Sequence, residues 1–174
     1  MNKGIGKATG SWIIFMNAGD IFASNDTIKQ VFFRREYAST IGVIHGLMYW
    51  GQIQPKNLLR LTPFFLSKKK LRGMGISHQA IFTRTELAKK YLFDLSFKVA
   101  ADYDMMMKIY QAGWEFRQVD IPVVIYDTSG YSAQNAMLQL KEEARICQME
   151  HHFCYRKEKM KLYLKQIIKK ILRL

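Results

Sequence analysis

Trp12-Ile13-Ile14-Phe15-Met16-Asn17-Ala18-Gly19-Asp20 is the stretch on which the fold turns. An unbroken apolar run of strand length suits a strand buried on both faces, as in a parallel-rich sheet. It stops at Asn17-Ala18-Gly19-Asp20, a turn-forming set. Such a strand is expected to lie centrally, with neighbours on both sides. Almost nothing precedes it except residues 2–8, read as a short helix closed by Gly10. Its neighbours are therefore expected from the middle of the chain or from residues missing before it.

Downstream, Ser24-Asn25-Asp26 reads as a helix start before residues 27–37, and residues 41–48 as a second strand. Residues 51–75 show weak periodicity, a basic run at Lys68-Lys69-Lys70 and glycines at 73 and 75, which reads as a connector. His78-Gln79-Ala80-Ile81-Phe82 reads as a third strand, residues 85–91 as a short helix, and residues 93–99 as irregular. A helix is expected over 101–111, with Met105, Met106, Ile109 and Tyr110 inward and Gly113 closing it. Residues 116–126 read as another strand, ended by Asp127-Thr128-Ser129-Gly130, and residues from 133 as helical to the end. This alternation predicts an α/β fold with a mixed sheet. One domain over 1–135 with a basic amphipathic tail over 136–174 is the expected division.

The 174 residues are 49% hydrophobic and 24% charged, with 3 Pro and 11 Gly, a globular composition that excludes disordered and collagen-like chains. Cys147 and Cys154 are too few for a disulfide framework and lack partners at zinc spacing, so a reducing, cytoplasmic setting is expected. The polar, Gly-broken opening stretch is not expected to be a secretory signal. The longest window without charge, residues 37–55, carries Ser39, Thr40, His45, Gln52, Gln54 and glycines, unlike a membrane span.

The net charge is +13, which points to an acidic partner. Residues 155–174 hold eight Lys/Arg against one Glu, so the excess belongs largely to the tail. There Met160, Leu164, Ile167, Ile168 and Ile171 share a helical stripe, with Lys161, Lys165, Lys169 and Arg173 opposite. That is a basic amphipathic helix suited to an anionic membrane surface. The competing reading is a terminal helix whose stripe packs on the domain. Nucleic-acid binding would call for basic residues interleaved with aromatics on the domain, and outside the tail there is little beyond residues 68–72.

Gly4-Ile5-Gly6-Lys7-Ala8 is not a phosphate loop: no Gly stands five residues before Gly6, Ala8 follows the Lys, and no strand precedes. Asp20 follows a strand, where open α/β sheets bind ligands. A lone carboxylate there can hold Mg²⁺ or Mn²⁺ together with a diphosphate, and a turn Asp preceding the next helix competes with that reading. Asp102 and Asp104 open the 101–111 helix on different faces, so they are not a dyad. Both suit the helix N-terminus, and a general base is the functional alternative for Asp102. His78 and Gln79 can line an acceptor pocket through neutral hydrogen bonds or simply pack. His151-His152 has no acidic or Cys partner at metal spacing.

Taken in order, five blocks resemble the family 2 inverting glycosyltransferases of the GT-A fold, in a colanic-acid-type branch. They are Asn2-Lys3-Gly4-Ile5 with Ala8-Thr9-Gly10-Ser11-Trp12-Ile13, then Phe15-Met16-Asn17-Ala18-Gly19-Asp20, then His78-Gln79-Ala80-Ile81-Phe82, then Phe93-Asp94 through Ala101-Asp102-Tyr103-Asp104, and Ser129-Gly130-Tyr131-Ser132. The second block is similar to the family's DxD metal motif with a single carboxylate retained, and Tyr131 replaces a family Gly in the last.

The resemblance implies that Asp20 binds the metal and that Asn17 and Asp20 face the donor. It implies that Asp102 is the base that deprotonates the acceptor hydroxyl, and that His78 and Gln79 border the acceptor. The donor is expected to be a nucleotide sugar with Mg²⁺ or Mn²⁺, and the product part of a surface polysaccharide made at the inner face of the cell membrane. It further implies that about eighty residues carrying much of the nucleotide pocket are absent before Met1, leaving a GT-A-like sheet without one half. Donor binding by the chain alone is then expected to be weak. The rival expectation is a non-catalytic module that binds membrane or nucleic acid through its basic residues.

Overall fold

The computed structural model describes residues 1–60, 75–127 and 135–172. The basic run at 68–70 and the 129–132 turn lie outside them.

In chain order the elements are α1 (Asn2–Lys7), β1 (Trp12–Ile13), β2 (Ile21–Phe22), α2 (Thr27–Phe32), β3 (Ile41–Trp50), β4 (Leu58–Leu59), β5 (Ile81–Arg84), α3 (Thr85–Tyr91), α4 (Ala101–Gln111), β6 (Glu115–Tyr126), α5 (Ala136–Ile146) and α6 (Phe153–Ile171). The sheet runs β1-β5-β3-β6-β2, with β4 also paired to β3. β3 and β6 are parallel and the other pairs antiparallel. This is the mixed α/β architecture expected, closed by a C-terminal amphipathic helix and consistent with part of a GT-A-like sheet.

Both sheet faces are covered, which is why the strands read as unbroken apolar runs. Successive side chains point to opposite faces. Val43 and Ile81 enter the core under α1, α3 and α4, with Ile5, Leu87, Met105, Met106 and Ile109. Their neighbours Ile44 and Phe82 enter the core under α2, with Val31, Met48, Val123 and Val124. Gly46 lies where the β3–β6 register shifts, and a Cβ there would overlap the Val123 side chain and the Ile121 carbonyl.

Four expectations are corrected. The strand read over 12–16 is shorter: only Trp12 and Ile13 join the ladder, and within the described sheet β1 pairs with β5. Its apolar character comes from packing on both faces, Ile13 and Phe15 against one core and Trp12, Ile14 and Met16 against the other. The 78–82 strand begins instead with a 3₁₀ turn, His78–Ala80, in which the Ala80 N–H donates to the Ser77 carbonyl. The helix expected over 27–37 stops at Phe32, and Arg34 takes a left-handed φ of 54°. The tail is two helices: α5 ends at Ile146, Gln148 takes φ 55°, and the His152 ring accepts from the Cys154 N–H to start α6. α5 buries Leu140 and Ala144, with Ile146 against the core under α4.

His45 lies buried in β3, its Nδ1 without a hydrogen-bond partner among the described residues. Burial pushes its pKa down to about 4. An unfolded chain takes up this proton near 6.5, the folded chain only near 4. The contribution is fully present above about 6.5 and lost as pH falls toward 4, about 3 kcal/mol in all. His45→Leu is therefore expected to flatten the fall in urea stability between pH 7 and pH 4.5. An unchanged pH dependence would contradict this origin.

Candidate functional site

β1 and β5 are antiparallel, with Ile13 opposite Thr83. Continuing down both chains brings the residues after β1 beside those before β5, so Asn17 meets His78. The Asn17 Nδ2 lies 3.1 Å from His78 Nε2. His78 Nδ1 lies 2.7 Å from Asp102 Oδ2. With the amide nitrogen turned to the ring, Nε2 accepts from Asn17 and Nδ1 donates to the carboxylate. The second oxygen, Asp102 Oδ1, accepts from the Tyr103 N–H at 2.9 Å. His78 and Asp102 side chains are each 22% exposed, reachable by a small ligand group but held in place.

Asp102 is the second residue of α4, and the positive helix end favours its charge. Asp104 does not face solvent. It is buried, and Lys108 Nζ donates to it at 2.6 Å one turn along the helix. The residue at its N-cap, Ala100, has no side chain to cap it. The Glu142 carboxylate on α5 instead accepts from the backbone N–H groups of Lys98, Val99 and Ala100 at 2.7, 2.8 and 2.9 Å. Arg145, one turn further, lies over the Phe97 ring at 4.5 Å and donates to the Ser96 hydroxyl. α5 thus fixes the loop that delivers Asp102.

Asp20 sits one tight turn from Asn17, its N–H donating to the Asn17 carbonyl at 3.1 Å. Its Oδ1 accepts from the Asp127 N–H at 2.8 Å. Its Oδ2 is buried without a hydrogen-bond partner among the described residues. Gly19 takes φ +95°, and a Cβ there would overlap the Asp127 carboxylate. A second carboxylate therefore packs against this turn. Gly19→Ala is expected to cost about 1–3 kcal/mol through the left-handed backbone and the displaced Asp127. Thermal unfolding of the variant reads it, and an unaltered midpoint would be the contrary result.

Among the described residues no group of three or more His, Cys, Asp or Glu side chains is placed to hold a metal ion. The one Asp20 oxygen without a partner among the described residues nevertheless fits a hard cation that takes most of its ligands from phosphate and water.

Asn17, His78 and Asp102 are thus joined, with Asp20 a turn away. Gln79 is placed differently. It is 2% exposed, and its Oε1 accepts from the Ser77 hydroxyl, so it supports the 3₁₀ turn from within. A hollow of about 440 Å³ beside α2, lined by Asp26, Lys29, Gln30, Phe33, Arg35 and Ile121, shares no residue with this group.

Glu142 and Asp127 were missed in the sequence. A helical Glu reads as a solvated face, and only the contact with a loop more than forty residues earlier makes it structural. Asp127 carried a faint signal, as the first residue after a strand.

The chain is similar to glycosyltransferases of mycobacteria. It is 31% identical over 113 residues to a "PGL/p-HBAD biosynthesis glycosyltransferase" of Mycobacterium bovis, covering 63% of this chain and 42% of that protein. It is 30% identical over 136 residues to an "Uncharacterized glycosyltransferase" of Mycobacterium tuberculosis, covering 75% of this chain and 50% of that protein. The chain thus spans half or less of the length of these curated relatives. No family model matches it.

Proposed function

We propose that this chain carries the acceptor-activating part of a cytoplasmic glycosyltransferase of the inverting family 2, GT-A type. It moves a sugar from a nucleotide-sugar donor to a hydroxyl acceptor in surface polysaccharide synthesis. The mycobacterial relatives support sugar transfer in general. The single observation that carries the mechanism is the Asn17–His78–Asp102 hydrogen-bond chain beside the Asp20 turn.

In this reading Asp102 removes the proton of the acceptor hydroxyl as its oxygen attacks the anomeric carbon from the face opposite the leaving group. The bond from that carbon to the donor's diphosphate breaks, and the nucleoside diphosphate leaves with the electron pair. His78 orients the carboxylate through its Nδ1–H and borders the acceptor, with Gln79 holding the turn beneath it. Asn17 holds the ring from the donor side. Asp20 would hold Mg²⁺ or Mn²⁺ through its Oδ2, and that ion would supply charge neutralisation of the departing diphosphate.

The test is release of nucleoside diphosphate by the native protein from a panel of UDP-, GDP- and dTDP-sugars with Mn²⁺ and saccharide or lipid-linked acceptors. One donor is expected to be consumed in an acceptor-dependent way, and Asp102→Asn is expected to abolish it. Full turnover in that variant would sink the assignment.

A further inference from the structure

Among the described residues, none packs over the apolar stripe of α6. Met160, Leu164, Ile167, Ile168 and Ile171 are all exposed, Ile168 at 54% and Ile171 at 72%. The helix leans on the body through other positions: Cys154, Tyr155, Glu158 and Leu162 are its half-buried residues. At 100° per residue these four lie on the side away from the stripe. By the same angles Lys161 and Lys165 flank the stripe on one side and Lys159 and Lys170 on the other, whereas Lys169 lies on the far side of the helix. Lys161 reaches back to Glu158 at 2.8 Å, and Lys159 lies over the Tyr155 ring. Among the described residues no helix is long and apolar enough to cross a membrane.

We infer that α6 is a membrane-docking helix that lies in the interface of an anionic lipid bilayer, its apolar stripe among the acyl chains and its flanking lysines at the headgroups. Charge chooses this occupant. A second copy of the chain would bring two lysine-rich helices together, and like charges would repel along both flanks. A bilayer with anionic headgroups meets the flanking lysines with an opposite charge, and long lysine stems reach it from the edge of an apolar face. The inference rests on α6 alone and holds whether or not the chain transfers sugar.

The experiment is co-flotation of the intact protein with vesicles of phosphatidylcholine containing about 30% phosphatidylglycerol, against vesicles of phosphatidylcholine alone. Binding to the anionic vesicles is expected, weakened by salt. Lys161→Glu, Lys165→Glu and Lys170→Glu together are expected to lower partitioning by at least about 100-fold. Leu164→Glu with Ile168→Glu is expected to lower it at least about tenfold even at low salt. All five side chains are exposed or flank the exposed face, and unchanged circular dichroism and melting would confirm that each variant folds. Absence of flotation with anionic vesicles overturns the proposal. So does equal binding of both vesicle types, and so does a dimer that dissociates on Leu164→Glu with no vesicle binding.

Discussion

Asp102→Asn is expected to lower sugar transfer by about 10²–10⁴-fold, the range a positioned general base contributes. The substitution keeps the shape of the side chain and its Oδ1 acceptor for the Tyr103 N–H. It removes the charge that takes the acceptor's proton and sets an NH₂ against the His78 Nδ1–H, so the loss should appear mainly in turnover, with a stability cost of about 1–2 kcal/mol. Asp104→Asn is the matched control. Its carboxylate is already engaged by Lys108, so the substitution should cost about 1 kcal/mol of stability and leave transfer near the parent rate. His78→Gln should fall between the two, because the carboxylate loses an orienting partner and keeps its charge. Steady-state rates of nucleoside diphosphate release for the three variants rank them. Equal losses at 102 and 104 would mean that neither carboxylate is the base.

Glu142→Ala is expected to destabilise the protein by about 3–5 kcal/mol, a large part of the total for a domain of this size. One buried carboxylate satisfies three backbone N–H groups of residues 98–100, and alanine leaves all three without it. Glu142→Gln should cost less, since its carbonyl still accepts, while its NH₂ end meets N–H groups that need an acceptor. Urea unfolding measures both. A change under about 1 kcal/mol for alanine would show that water replaces the carboxylate readily. Any glutamine variant that still folds should also lose transfer, because the loop leads directly into Asp102 and small displacements of a base are costly.

The helices over 85–91 and 101–111 and the strands starting near 41 and 115 were legible because their signals are local. Periodicity, turn residues and apolar runs each act over one element. Pairing partners were not legible. The 12–16 run has the composition of a two-sided strand, and that composition does not say which of its residues join a ladder. The 3₁₀ turn at His78 was hidden for a related reason: His78-Gln79-Ala80 has no propensity that opposes a strand, and the Ser77–Ala80 hydrogen bond decided it.

Of the site, Asn17, Asp20, His78 and Asp102 were named from their blocks, but their association is a product of topology. The antiparallel β1–β5 pair sets Asn17 against His78, and α4 brings Asp102 to the same ring. By itself the sequence determined the α/β class, the main elements, the chemistry-bearing residue types and a tail with one apolar face and many lysines. Those properties follow from residue identity and short-range spacing. Only the tertiary structure decided that Glu142 braces the base-bearing helix, that Gln79 turns inward and that the tail's apolar stripe faces out. Each of these is a choice between partners distant in the chain, and it is settled by which surfaces the packed sheet and helices leave open.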